Sequence, residues 1–138
     1  MRRTASVLLL VLLSAAIGVA TAAEESPGMK KEHPGDTALS EAADGSYQYK
    51  SFPGLSALYV FNGDSPGQSK CESKCLSAWP ALLVSTGEKG ERVGDWEVIV
   101  HADGTRQWAY KGQPVYTRYH NIPFDAAGEK AGFRPLKP

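Results

Sequence analysis

The sequence has few of the residues and none of the motifs that usually identify a catalytic protein. Its 138 residues include two cysteines and three histidines. No phosphate-binding glycine loop, H-E-x-x-H, C-x-x-C or C-x-x-C-H motif and no Ser/His/Asp nucleophile motif occurs. Nothing in the chain therefore argues for a reaction, and we predict that the protein is not an enzyme.

An excess of positive charge is also missing. The chain has 15 Lys or Arg and 15 Asp or Glu residues. Residues 1–22 contain two of the basic residues and none of the acidic ones, so the remainder has 13 against 15 and a net charge of −2. Nucleic-acid-binding domains usually carry a basic patch. We therefore expect no nucleic acid among the partners.

The longest apolar stretch stands at the N-terminus and is short for a membrane span. Two arginines precede an apolar run at 7–13, and Ala20-Thr21-Ala22 supplies the small residues that signal peptidase reads. A span needs about 20 apolar residues. We predict a cleaved signal peptide at 1–22, no membrane span after cleavage, and a periplasmic or secreted protein.

Large apolar residues are scarce again between 23 and 45, where Glu, Lys, Pro, Gly, Ser and Ala dominate. Such a segment buries too little surface to offset the entropy of ordering it. We predict a flexible leader at 23–45. The remaining residues, 46–138, are enough for one small domain.

The domain has the alternation of apolar and polar residues that is typical of strands. Trp96, Val98 and Val100 fall on one face of a predicted strand, and Asp103-Gly104 has the composition of a hairpin turn. Further strands are predicted at 47–49, 58–61, 106–110, 115–119 and 133–136. The prediction is a mainly β, small single domain of antiparallel hairpins and a meander, with one short helix or loop around Cys71 and Cys75.

Cys71 and Cys75 form an even pair, which in an exported protein predicts a disulfide. Positions four apart in a regular helix lie at the long end of disulfide spacing, so a loop or a distorted turn is needed. The alternative is a redox or copper site in which reduced Cys71 and Cys75 act with His101 or His120. We favour the disulfide and no cofactor, with copper as the alternative.

The aromatic residues and Asp64 each allow a structural and a functional interpretation. Asp64 lies in Asn-Gly-Asp-Ser-Pro-Gly, where it holds the loop by hydrogen bonds to the backbone or else acts as a ligand or base. The aromatic side chains form the core and cross-strand pairs of a small sheet, or they line a ligand pocket. They are Tyr59, Phe61, Trp79, Trp96, Trp108, Tyr110 and Tyr116.

A set of short motifs follows in a fixed order. They are Tyr59-Val60-Phe61-Asn62-Gly63-Asp64, which fits Y-x-[FWY]-x-x-D, then Cys71-x-x-x-Cys75, Trp79-Pro80, Asp103-Gly104-Thr105, Gln107-Trp108-Ala109-Tyr110-Lys111-Gly112 and Pro114-Val115-Tyr116. With them, residues 47–138 resemble a bacterial family of secreted-repeat proteins and predicted lipoproteins that is named for the first motif. The family is of unknown function, so the resemblance implies export but no activity. A second copy beginning at Tyr116 departs from the motif, with Arg118 in the aromatic position and Asn121 in place of Asp.

The sequence thus predicts an exported, non-enzymatic β domain that binds an unknown ligand or an envelope protein. The alternative is a periplasmic redox or copper-handling protein that uses the cysteine pair and a histidine.

Overall fold

Short strands make up most of the regular structure in Gly18 and residues 32–138, which are the residues that the computed structural model describes. Apart from Gly18, the predicted signal peptide lies outside the described residues, and so does the leader from 23 to 31. No helix in the described part is long and apolar enough to cross a membrane. The elements are β1 Thr37–Glu41, β2 Tyr47–Ser51, β3 Tyr59–Phe61, α1 Lys74–Ala78, β4 Trp96–Val100, β5 Arg106–Tyr110, β6 Gln113–Tyr116, a 3-10 turn Tyr119–Asn121, α2 Ala126–Lys130 and β7 Phe133–Pro135.

The strands form two antiparallel sheets. β1 and β2 pair as a separate hairpin, while the other strands form a five-stranded sheet in the order β4-β5-β6-β3-β7. The predicted mainly β single domain and its β4-β5-β6 meander are therefore confirmed. β3 lies between β6 and β7, both of which follow it far along the chain.

The turn between β4 and β5 has the geometry that Asp103-Gly104 predicts. Gly104 has φ +83°, a backbone conformation that glycine adopts at low cost. The His101 amide donates to the Thr105 carbonyl at 2.8 Å, and the Asp103 carboxylate accepts from the Thr105 amide at 2.9 Å. A three-residue loop that ends with a left-handed glycine is a common hairpin connection.

Buried side chains form two clusters, which we name the sheet core and the motif cluster. The sheet core consists of Tyr49, Leu58, Val60, Leu82, Trp96, Trp108, Tyr110, Val115 and Leu136. The motif cluster consists of Tyr59, Cys71, Trp79, Tyr116 and Phe133, with Ala57, Phe61, Cys75 and Ala81 packed against it.

The prediction of a flexible leader as far as residue 45 is wrong for its last part. β1 pairs along its whole length with β2, and Asp36 and Thr37 are buried. The Asp36 carboxylate accepts hydrogen bonds from the Trp108 indole N–H at 2.8 Å and the Ser85 amide at 3.0 Å. Such a partner offsets the cost of burying an indole N–H. The folded domain therefore begins before Ser46, in the segment that the composition assigned to the leader.

The strand predicted at 115–119 ends earlier than expected. β6 stops at Tyr116, and the Thr117 amide donates instead to the Pro80 carbonyl at 2.8 Å. The chain then enters the 3-10 turn, where His120 and Asn121 have φ values of 54° and 50°. Such left-handed residues do not continue a strand.

Candidate functional site

The two cysteines form the predicted disulfide. Cys71 lies in the loop before α1 and Cys75 is the second residue of that helix, with 5.2 Å between their Cα atoms. Ser73, between them, has φ 47°, so the segment is not a regular helix. This distorted turn gives the pair the short Cα separation that a disulfide requires.

The chain leaves α1 directly into the motif cluster. The Trp79 amide donates to the Cys75 carbonyl at 2.8 Å, which fixes the start of the next segment relative to the disulfide. The Trp79 indole stacks on Phe133 at 3.9 Å and contacts Tyr59 edge-on at 5.1 Å. The Arg118 guanidinium lies over the same indole at 4.8 Å, the arrangement of a cation–π contact.

The two tyrosines that begin the motif copies lie side by side. Tyr59 and Tyr116 are direct partners across β3 and β6. The Tyr116 hydroxyl donates to Asp64 Oδ2 at 2.7 Å and lies 2.6 Å from the Ser69 hydroxyl. Asp64 Oδ1 accepts from the Lys70 amide at 2.7 Å. Asp64 Oδ1 thus makes the local backbone hydrogen bond of the loop interpretation, whereas Oδ2 joins the loop to Tyr116 in β6.

Burial shapes the acid–base properties of this network. It raises the pKa of Tyr116 well above its usual value, and the neighbouring Asp64 carboxylate adds to that rise. Burial also raises the pKa of Asp64, and the hydrogen bonds from Lys70 and Tyr116 lower it in part. The tyrosine therefore remains a protonated donor across the physiological pH range.

An open groove of about 540 Å³ lies between α1, the segment after Trp79 and the β4–β5 turn. We name it the disulfide groove. Its volume falls within the range of about 300–1,000 Å³ that is usual for ligand clefts. It is lined by Ser69, Cys71, Glu72, Leu76, Pro80, Ala81, Leu83, His101, Ala102, Asp103, Thr105 and Gln107.

Hydrogen bonds fix the orientation of two polar groups in the groove wall. Gln107 is fully buried, and its Nε2 donates to the Val115 carbonyl at 2.9 Å. The Val115 carbonyl can only accept a hydrogen bond, so the side-chain NH2 of Gln107 must face it. Gln107 Oε1 then faces His101 Nε2, at 2.8 Å. Neutral His101 therefore carries its proton on Nε2 and keeps a lone pair on Nδ1.

The other predicted site residues lie elsewhere. Trp108 and Tyr110 belong to the sheet core, so they support the sheet and do not line the groove. His120 lies in the 3-10 turn beside Tyr119 and is not part of the groove. Within the described residues no three His, Cys, Asp or Glu side chains are placed to hold a metal ion.

A larger concavity of about 780 Å³ lies between β2 and residues 135–138. Of the predicted site residues it contains only Tyr59, and that residue is buried in the motif cluster. We assign the candidate site to the smaller disulfide groove because its walls include the disulfide and the fixed Gln107 amide. Preorganised walls lower the ordering cost of binding.

Two important residues were not found from the sequence. Gln107 stands in a strand between charged and aromatic neighbours, and no local pattern shows that its amide is buried. Asp36 lies in a polar segment, where nothing indicates a bond to Trp108. Arg118 was recognised only as a departure from the motif, and its contact with Trp79 depends on the fold.

We expect the disulfide to stabilise mainly its surroundings. Cys71→Ser/Cys75→Ser should lower the free energy of unfolding by about 2 kcal/mol, because the closed loop is very short. Amide exchange should accelerate around Trp79 and α1 and stay slow in β4 and β5. Reduced wild-type protein is the matched control. It should show the same loss of stability and the same pattern of amide exchange as the double variant. A uniform loss of protection across all strands would contradict this expectation.

The buried tyrosine network should make stability fall at alkaline pH. The pKa of Tyr116 is higher in the folded state than in the unfolded state, where it is about 10. Above that pH the unfolded chain loses protons that the folded chain keeps, so the free energy of unfolding falls as pH rises. Tyr116→Phe should reduce this slope by up to about 1.4 kcal/mol per pH unit.

Denaturant titrations between pH 8 and 11 measure that slope. Tyr119→Phe is the matched control, because Tyr119 is 54% exposed and lies outside the network. Equal slopes for the wild type and Tyr116→Phe would show that Tyr116 has no part in the effect.

No protein-family profile matches this chain, and no curated protein or solved structure is significantly similar to it. The resemblance to the secreted-repeat family therefore rests on the motif residues alone and stays a prediction.

Proposed function

We propose that the protein is an exported, non-enzymatic binding domain and that the disulfide groove receives its ligand or envelope partner. The observation that carries this proposal is the exposure of two leucines in a concave site. Leu76 is 37% and Leu83 is 50% exposed, and both line the groove. Covering such apolar surface contributes about 25 cal/mol per Å² to binding.

Export is supported by three features. Residues 1–22 have the layout of a secretory signal. Disulfides persist in oxidising compartments and are rare in the cytosol. The motif order resembles that of a secreted family. Together these features support a periplasmic or secreted protein.

A binding role is also supported by how the reactive-looking groups are used. Both oxygens of Asp64 accept hydrogen bonds, and the Tyr116 hydroxyl is buried between Asp64 and Ser69. His101 donates its Nε2 proton to Gln107. These side chains are occupied in holding the loop and the groove wall, which favours binding over catalysis.

Photocrosslinking tests the proposal. A photoreactive amino acid replaces Leu83 in the groove in one variant and Val100 in the other, and both are expressed in the organism that encodes the protein. Val100 is a matched control because it is 67% exposed and does not line the groove. We expect a discrete adduct from position 83 and none from position 100. No adduct at 83, or the same adducts at both positions, would overturn the proposal.

The alternative proposal is a redox or copper-handling role. The observation in its favour is that Cys71 and His101 both line the disulfide groove. Thiol titration of the purified protein followed by Cu(I) competition separates the two proposals. Free thiols with tight copper binding that His101→Ala weakens and His120→Ala does not would establish the alternative. Blocked thiols without copper binding would exclude the copper role.

A further inference from the structure

The charges that line the disulfide groove have one sign. Glu72 and Asp103 contribute carboxylates, and no Lys or Arg is among the lining residues. Glu72 is exposed beside Cys71. The hydroxyl and amide of Thr105 donate to Asp103 and lower the pKa of its carboxyl, so Asp103 stays ionised at neutral pH.

The nearest basic residue of the hairpin points its charge elsewhere. Arg106 donates to the Lys89 carbonyl at 2.9 Å and to the Glu88 carbonyl at 3.1 Å. Its guanidinium is therefore committed to the loop before β4. Arg106 is therefore not placed to pair with the carboxylates of the groove.

The apolar part of the groove lies next to these carboxylates. Leu76 and Leu83 are joined there by Pro80 and Ala81, and the disulfide is fixed beside them. An occupant that fits both parts needs an aliphatic group and a positive charge close together. Complementary rim charges raise association rates and select the partner, while the buried apolar contact supplies most of the affinity.

We propose that the occupant is a segment of another exported protein that presents an aliphatic side chain beside a lysine or arginine. The aliphatic side chain packs against Leu76 and Leu83, and the cation faces Glu72 and Asp103. This inference rests on the proposed function and names the chemistry of the partner.

Three short capped peptides test this assignment of the occupant. Each is titrated into the mature, exported form of the protein and followed by NMR. They are Gly-Leu-Lys-Leu-Gly, the same peptide with Glu in place of Lys, and Gly-Ser-Lys-Ser-Gly. We expect the leucine–lysine peptide to shift the amide resonances of Leu83, His101 and Thr105. The glutamate and serine peptides should bind at least several-fold more weakly.

Charge-neutral variants provide the matched comparison. Glu72→Gln should lower the affinity for the leucine–lysine peptide by about two- to fivefold, which is the effect of losing one exposed ion pair. Glu91→Gln should leave binding unchanged, because Glu91 is exposed and lies outside the groove. Raising the salt concentration should remove the difference between the two variants, since exposed charges are screened.

Equal binding of the lysine and glutamate peptides, or equal effects of the two variants, would overturn the cationic assignment. So would the absence of shifts at Leu83, His101 and Thr105 with the leucine–lysine peptide. An adduct from position 83 in the crosslinking experiment would still support a binding groove in that case. Failure of the ligand class is therefore distinguishable from failure of the proposed function.

Discussion

The stacking of Trp79 is the contact on which the arrangement of this domain most depends. Its indole lies parallel to Phe133, with 3.9 Å between the ring centres, and so joins the segment after α1 to the last strand. Tyr59 packs on its edge from β3, and Arg118 covers it from the segment after β6. Four parts of the chain that are distant in sequence thus meet on one ring. A flat, large aromatic surface allows this because it buries much area in a defined geometry.

The same contact explains how the second motif copy departs from the first. Arg118 stands in the position of the expected aromatic residue, and its guanidinium lies over the Trp79 ring at 4.8 Å. Asn121 replaces the expected aspartate and has φ 50°, a conformation that asparagine tolerates. The corresponding residues of the two copies make different contacts, since Phe61 stacks on Phe133 at 4.7 Å and Arg118 lies over Trp79. Asp64 holds Tyr116, whereas Tyr59 packs on Phe124 at 5.7 Å.

Local patterns predicted those parts of the fold that depend on neighbours in sequence. The alternation around Trp96 and the glycine at 104 specify a strand and its turn, because each signal acts within a few residues. The partners of β3 lie far along the chain, and no local pattern indicates which strand will pair with it. The order at the end of the predicted leader has the same cause. Its average composition is polar, but Asp36 satisfies the indole of Trp108, which is 72 residues away.

Of the predicted site residues only Cys71 and His101 line the groove, because the groove is built from the same elements as the core and its shape depends on contacts that no local pattern indicates. Cys71 belongs to the motif cluster and also lines the groove. Gln107 is a β5 residue that is bonded to the backbone of β6 and to His101. The walls are thus anchored in buried structure, while the leucines and carboxylates on them remain exposed. A surface whose walls are anchored in this way loses little conformational entropy when it is covered.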